Sequence, residues 1–315
     1  MEYSIVVNGI GHAFLREFGC SCRRCTSRDH VANTSLSIIG RDGGIRWHAL
    51  VDCGLGVVTS LCNFFRPDEA CLDWLLLTHW HPDHSLELNR LCETLRRSSR
   101  RRGRDSGRIS TWCRKGTGRW IEKNHSYEWH RHLQPSIDDE MHPPGVLLPA
   151  VPLARDDIGI TPFTVSHGTA DIDPVSYRNG YPCSASFVVE SGGKRAVLLW
   201  DADNSNDWIV TPRTAAEAET VERISGADYL CIDCLSWDVE EVRGYNTGHL
   251  SFQTVKTYAA ALNPRRTLLI HLGGHMGTGW DWSDAQWEEA ARKEWQAKSL
   301  PGTVHVPSIG AEFGL

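Results

Sequence analysis

The sequence predicts an α/β sandwich with its functional residues gathered at one edge of the sheets. Short apolar, β-branched runs alternate with helical stretches along most of the chain, and polar residues recur directly after those runs. In addition, histidine and aspartate crowd into Thr78-His79-Trp80-His81-Pro82-Asp83-His84, immediately after the apolar run Leu75-Leu76-Leu77. With 315 residues, 41% of them hydrophobic and 23% charged, the chain is long and apolar enough to bury a substantial core.

Taken in order, residues 3–8 read as a first strand, followed by a glycine-, cysteine- and arginine-rich loop to about residue 33. Residues 35–39 and 47–52 read as strands around the turn Arg41-Asp42-Gly43-Gly44. Residues 75–77 form a buried strand that delivers ligands from its C-terminal end. A helix is expected from His84 through Glu87, Leu88 and Leu91 toward Arg97. The basic stretch 96–108 reads most simply as a solvated surface loop, or functionally as an anion-attracting flap. A strand is expected over 109–113 and a helix over 118–132. The region 96–157 is expected to include a lid or insertion, with Trp120, Tyr127, Trp129, His130 and His132 as packing or pocket wall.

The second half repeats the sequence of strand, ligand and loop. Residues 158–165 lead to Ser166-His167-Gly168, and 186–190 with 195–200 form a hairpin around Ser191-Gly192-Gly193-Lys194 that ends at Asp201. Helices are expected over 212–224 and 252–262, and strands over 228–232 and 267–270, the last ending at His271.

The net charge of −6 gives no global attraction to nucleic acid or anionic membrane. No stretch approaches the length of a membrane span, and Met1-Glu2-Tyr3-Ser4 opens straight into a strand, so a cytoplasmic location is expected. Eleven cysteines, an odd number in a long chain, favour reduced thiols and metal ligation over disulfides.

Neutral imidazole nitrogen and carboxylate oxygen together suit divalent Zn, Mn or Fe. His79 and His81 are two apart in an extended segment and project to the same side, while Asp83 and His84 open a helix and can turn toward a second ion. A lone histidine at a strand end is more often a surface residue. Four donors within six positions are not explained that way.

His79-Trp80-His81-Pro82-Asp83-His84 resembles the HxHxDH signature of the metallo-β-lactamase superfamily, and further motifs follow in that family's order. The resemblance implies an αββα four-layer sandwich over a single domain spanning 1–315. It also implies a first metal on His79, His81 and His167, a second on Asp83, His84 and His271, and Asp201 bridging both, with Asp52 in a structural role.

Gly19-Cys20-Ser21-Cys22-Arg23-Arg24-Cys25 places three thiols where they can wrap one tetrahedral Zn, leaving a fourth position for a distant residue. This loop is similar to that of the phosphonate-pathway (PhnP-type) cyclic phosphodiesterases and of PqqB-like relatives in quinone-cofactor biosynthesis. That similarity implies His275 as the fourth ligand of a structural Zn, although His271-Leu272-Gly273-Gly274-His275 is one residue longer than the pattern. Cys231-Ile232-Asp233-Cys234 competes as a C-x-x-C, but on a strand residues three apart face opposite ways, so buried core cysteine is the reading there. His249 in Gly248-His249-Leu250-Ser251 resembles the histidine that phosphodiesterase branches place beside the scissile phosphate. A capping role at the following helix is the alternative.

The functional expectation is a hydrolase that splits a phosphodiester, cyclic or not, using two divalent ions and a hydroxide bridging them. Asp83 would orient the hydroxide and His249 would act as proton donor. The expected partner is a small-molecule phosphodiester or ester, with a homodimer implied by resemblance alone. The rival readings are a carbon-ester, lactone or amide hydrolase, an RNA-processing nuclease, against which the acidic balance weighs, and a non-hydrolytic PqqB-like accessory protein.

Overall fold

The computed structural model describes residues 1–103, 107–238, 248–273, 278–279 and 281–315. Strands β1 (Glu2–Gly9), β2 (Ser35–Arg41), β3 (Ile45–Val51), β4 (Trp74–Leu76), β5 (Ile109–Arg114) and β6 (Leu133–Asp138) follow one another in a first sheet. A second sheet holds β7 (Gly159–Thr164), β8 (Ala185–Ser191), β9 (Lys194–Leu199), β10 (Tyr229–Asp233), β11 (Arg266–Ile270) and β12 (Thr303–His305). The last strand, β13 (Glu312–Gly314), returns to pair with β1. In both sheets an antiparallel meander passes into parallel strands: β1 to β3 before β4 to β6, and β7 to β9 before β10 to β12.

The period of two along each strand sorts the side chains between layers. Ile5 and Val7 of β1, Ala49 and Val51 of β3, and Leu76 of β4 face a core shared with Phe163, Phe187 and Val189 of the second sheet. Their neighbours Leu50, Leu75 and Leu77 point the other way, into a cluster with residues of α2 (Val57–Phe64), α4 (Leu88–Arg101) and α5 (Lys115–Asn124). Helices α7 (Ala215–Ile224), α8 (Phe252–Leu262) and α9 (Asp284–Ala297) contribute Ile224, Val255, Tyr258, Trp287 and Trp295 to the core of the second sheet. The layers are therefore α, β, β, α. The small remaining helices are α1 (Arg23–Thr26), α3 (Pro82–Ser85) and α6 (Ser126–Arg131).

Several expectations need correction. The helix expected from His84 is two helices, α3 and α4. The break falls where the Glu87 N–H bonds the Cys53 carbonyl at 3.0 Å and its carboxylate takes the Val58 N–H at 2.8 Å, tying the chain to the turn after β3. The basic stretch expected as a loop from residue 96 is helical through Arg101. Arg96 pairs with Glu93 one turn back, and cationic side chains suit a helix C-terminus. The helix expected over 118–132 is α5 and α6, separated at His125, whose φ of −126° is not helical. The helix expected from 212 starts at Ala215, because Thr214 and Glu217 form a capping box.

Of the stretch expected as a lid or insertion, residues 109–138 are built into the first sheet as β5, α5, α6 and β6. Leu148 and Val151 then hydrogen-bond along β7 and lie in the core, so this part is scaffold as well. The sequence reading omitted α9, although Trp287, Ala291 and Trp295 carry its buried stripe at four-residue spacing. Among the described residues, no helix is long and apolar enough to cross a membrane.

Candidate metal centre

Strand ends supply the site. Asp52, Asp201 and His271 follow β3, β9 and β11 with φ of +60°, +52° and +55°, a left-handed backbone that costs side chains energy and turns each of them out of its strand. His79 and His81 lie between β4 and α3, and α3 carries Asp83 and His84. Gly54 is required beside them, since a Cβ there would come within 1.8 Å of the Asp83 carbonyl oxygen.

Two donor clusters result. His79, His81, His167 and Asp201 form one, and Asp83, His84, Asp201 and His271 the other; within each, ligand atoms lie within 4.8 Å of one another. In the first, Asp201 Oδ2 is 3.5 Å from His79 Nε2 and 3.7 Å from His167 Nε2, and His167 Nε2 is 3.3 Å from His81 Nδ1. In the second, His84 Nε2 lies 3.2 Å from both Asp83 Oδ2 and Asp201 Oδ2, and His271 Nε2 lies 3.3 Å from Asp201 Oδ1. Tetrahedral ligands at ~2.1 Å from an ion stand about 3.4 Å apart, so these spacings fit divalent cations.

The side chains behind the donors fix which atom points inward. Asp52 Oδ2 accepts hydrogen bonds from His84 Nδ1 at 2.8 Å, Thr78 Oγ1 at 2.6 Å and Trp200 Nε1 at 2.9 Å, and Oδ1 takes the Thr78 N–H at 2.9 Å. His84 Nε2 is thereby left as the free lone pair. His167 Nδ1 donates to the Gly248 carbonyl at 2.7 Å, and His81 Nε2 to that of Thr169 at 3.2 Å. Gly248, at φ +66°, admits no side chain, because a Cβ would meet the His167 ring at 2.6 Å. On the far side of the motif Trp80 stacks on Trp120 at 4.0 Å, and their indole N–H groups hold the carbonyls of Ala170 and Ile172.

Among the described residues, the buried atoms His79 Nε2, His84 Nε2 and both Asp201 oxygens have no hydrogen-bond partner. Groups left so are costly in an interior, and a cation between them would remove the cost. Burial pushes the pKa values of His79, His81 and His167 down, which leaves neutral imidazoles ready to ligate. Burial also opposes charge on His84, yet Asp201, Asp83 and Asp52 outweigh it and hold its pKa well above the ordinary value. Asp83 and Asp201 are themselves held well below the usual carboxylate range, burial being overcome by the surrounding histidines.

A family model described as a β-lactamase superfamily domain matches residues 48–272. The chain belongs to the metallo-β-lactamase superfamily. No curated protein matches it by sequence. Among solved structures, the metallo-β-lactamase fold protein YhfI from Bacillus subtilis is 18% identical over 100% of both chains, with a TM-score of 0.65. A diphosphatase from the PhnP family is 18% identical over 100% of this chain and 98% of its own, with a TM-score of 0.64. Zn(2+)-bound PqqB from Methylobacterium extorquens is 15% identical over 99% of this chain and 100% of its own, with a TM-score of 0.69. At these identities the likeness shows the fold. The protein is thus a hydrolase of the metallo-β-lactamase fold with two clusters that could hold metal ions.

A third cluster joins Asp201 and His271 to Asp233 and His249. Asp233 was not singled out from the sequence. It ends β10, fully buried, and its Oδ2 accepts His249 Nδ1 at 2.9 Å, while Oδ1 faces His271 Nδ1 at 3.8 Å. Its aspartate-after-a-buried-strand placement, shared with Asp52 and Asp201, was the signal available. Burial opposes charge on His249, but Asp233 and Asp201 outweigh it and carry its pKa up to about 9.

In this metallo-β-lactamase chain the Sγ atoms of Cys20, Cys22 and Cys25 also converge within 4.8 Å. The Cys22 side chain accepts the Cys25 N–H as cap of α1, and the Glu17 N–H bonds Cys25 Sγ at 3.1 Å. His275, expected as their fourth partner, lies outside the described residues. Cys231 and Cys234 are both fully buried in the core.

Proposed function

We propose that the protein hydrolyses small phosphodiesters, with a divalent ion in each donor cluster and a structural Zn on Cys20, Cys22 and Cys25. The observation that carries this reading is the Asp233–His249 pair set against the shared carboxylate Asp201. A phosphodiester with a basic alkoxide leaving group needs a proton donor, the part this pair can take.

When bound, divalent ions there would acidify water and withdraw charge from a phosphoryl oxygen. His79, His81 and His167 would hold one ion, Asp83, His84 and His271 the other, and Asp201, which stands in both clusters, would be shared between them. Asp83, on the first turn of α3, also orients the nucleophile from the side of the second cluster. Asp233 accepts the His249 Nδ1 proton and fixes the ring, leaving Nε2, which has no hydrogen-bond partner among the described residues, to give its proton to the departing oxygen.

The test is turnover of an alkyl phosphodiester, bis(p-nitrophenyl) phosphate, a nitrophenyl ester and a lactone by Zn- or Mn-loaded protein, with His249→Ala in parallel. Alkyl phosphodiester turnover that falls with His249→Ala, far more than that of bis(p-nitrophenyl) phosphate, supports the reading. Turnover of carbon esters alone, indifferent to His249, moves the assignment to an esterase or lactonase and leaves the donor clusters intact.

A further inference from the structure

Beneath α2 the outer face of the first sheet is packed with Val6, Ile39, Ile45 and Phe65, yet a line of buried polar side chains crosses it. His48 Nε2 meets Ser37 Oγ at 2.8 Å, and Asn8 Nδ2 donates to Ser37 Oγ at 3.0 Å and to Ser35 Oγ at 3.2 Å. Ser35 Oγ donates to the Asp52 carbonyl at 2.9 Å, and the Asp52 carboxylate holds His84. A hydrogen-bonded line through β1 and β2 therefore joins His48 to the backbone carbonyl of Asp52, whose side chain holds a donor of the second cluster.

His48 is also part of the lining of an open cavity of about 350 Å³ between α2, α4 and the loop after α2. Leu61, Phe65, Leu91 and Leu95 make its wall apolar, and no aspartate or glutamate lines it. Arg101, in the last turn of α4, lines it too and makes no ion pair among the described residues. Arg102 ties that end of α4 to the opposite rim by donating to the Ala70 carbonyl at 2.8 Å. An apolar cavity of ligand size with one uncompensated guanidinium matches an amphipathic monoanion.

We propose that this cavity binds a free medium-chain fatty acid, with its chain against the apolar wall and its carboxylate on Arg101, and that occupancy is felt at His84 through the Ser37–Asn8–Ser35–Asp52 line. The volume, near the lower end for ligand pockets, suits a single chain. A change in the surroundings of His48 then shifts the backbone of Asp52, which carries the carboxylate that holds His84. The transmission rests on the metal reading above. The binding does not.

Decanoate is the probe, and Cys62, an exposed thiol in the cavity lining, reports its presence. In the full-length Zn-loaded protein, decanoate should slow iodoacetamide alkylation of Cys62 severalfold and saturably, read by peptide mass mapping. Decanol should do so less, and Arg101→Glu should abolish the protection. Thr94→Trp, which fills the cavity from an exposed position, should mimic occupancy. Decanoate should also change the rate at which Zn passes from the protein to a chelator, and Ser37→Ala should remove that change. Absence of protection, or equal protection in Arg101→Glu, overturns the binding site. Protection with unchanged Zn release overturns the transmission.

Discussion

Asp233 Oδ2 lies 2.9 Å from His249 Nδ1, across sixteen residues of chain that leave β10 and return just before α8. The carboxylate is fully buried while the imidazole keeps 15% of its surface exposed, so the buried partner holds the more exposed one. An aspartate of this kind sets which ring nitrogen carries the proton. Asp233→Asn should therefore keep the fold and metal content but lose proton donation. Turnover of an alkyl phosphodiester should fall by about 100-fold or more, the usual worth of a positioned general acid, and that of a nitrophenyl ester far less. A plot of log kcat against leaving-group pKa that is no steeper for the variant would sink this role.

Asp52 tests how far a residue behind the donors controls the clusters. Its Oδ2 accepts from Thr78 Oγ1, His84 Nδ1 and Trp200 Nε1, so an amide nitrogen placed there meets three donors and can accept from none. Asp52→Asn also keeps the backbone, because asparagine tolerates the φ of +60°. The expected outcome is a second ion bound about 10- to 100-fold more weakly, with the first affected less. Competition with a graded chelator series measures it. Two equally tight ions in the variant would contradict the role given to Asp52.

His48 gives a pH dependence away from the metal clusters. Burial lowers its pKa to about 4, with Nδ1 donating to the Cys71 carbonyl at 2.8 Å. Above the unfolded value of about 6.5 both states are neutral and nothing is lost. As pH falls from there toward 4, the unfolded chain takes up a proton that the folded one refuses, so stability falls through that window. The loss is roughly 3 kcal/mol at most, since a tenfold change in proton affinity is about 1.4 kcal/mol. Urea unfolding of apoprotein at pH 7 and pH 5 should show it, and His48→Gln should show less. An identical loss in the variant would assign the effect to other groups.

The three thiols at Cys20, Cys22 and Cys25 predict a Zn that does not take part in turnover. Cys22→Ser should lower bound Zn by one equivalent and lower the melting temperature, while phosphodiester turnover per folded molecule changes little. Elemental analysis beside a thermal melt decides this. An unchanged metal content removes the structural Zn.

Some of the molecule could be read directly from the sequence because the information is local. The run from His79 to His84 is contiguous, strand alternation sets one face of β3 and β4 toward the core, and Asp52, Asp201 and His271 each directly follow an apolar strand. Helix boundaries were less legible where tertiary bonds compete with local ones. Glu87 turns its N–H to the Cys53 carbonyl, and the Arg96 to Arg101 stretch is helical although its composition reads as loop.

The sequence by itself determined the alternation of strands and helices and the types of donor, which depend on residue type and on spacing along one strand or one turn, while the superfamily and the layer order followed from the likeness of His79 to His84 to a known signature. Only the tertiary structure decided that Asp201 stands in both clusters, that Asp233 stands behind His249, and that Asn8 and Ser35 join His48 to the Asp52 carbonyl. Hydrogen bonds reach about 3 Å through space whatever the separation along the chain. Which distant polar groups come that close is set by how the two sheets and their helices pack.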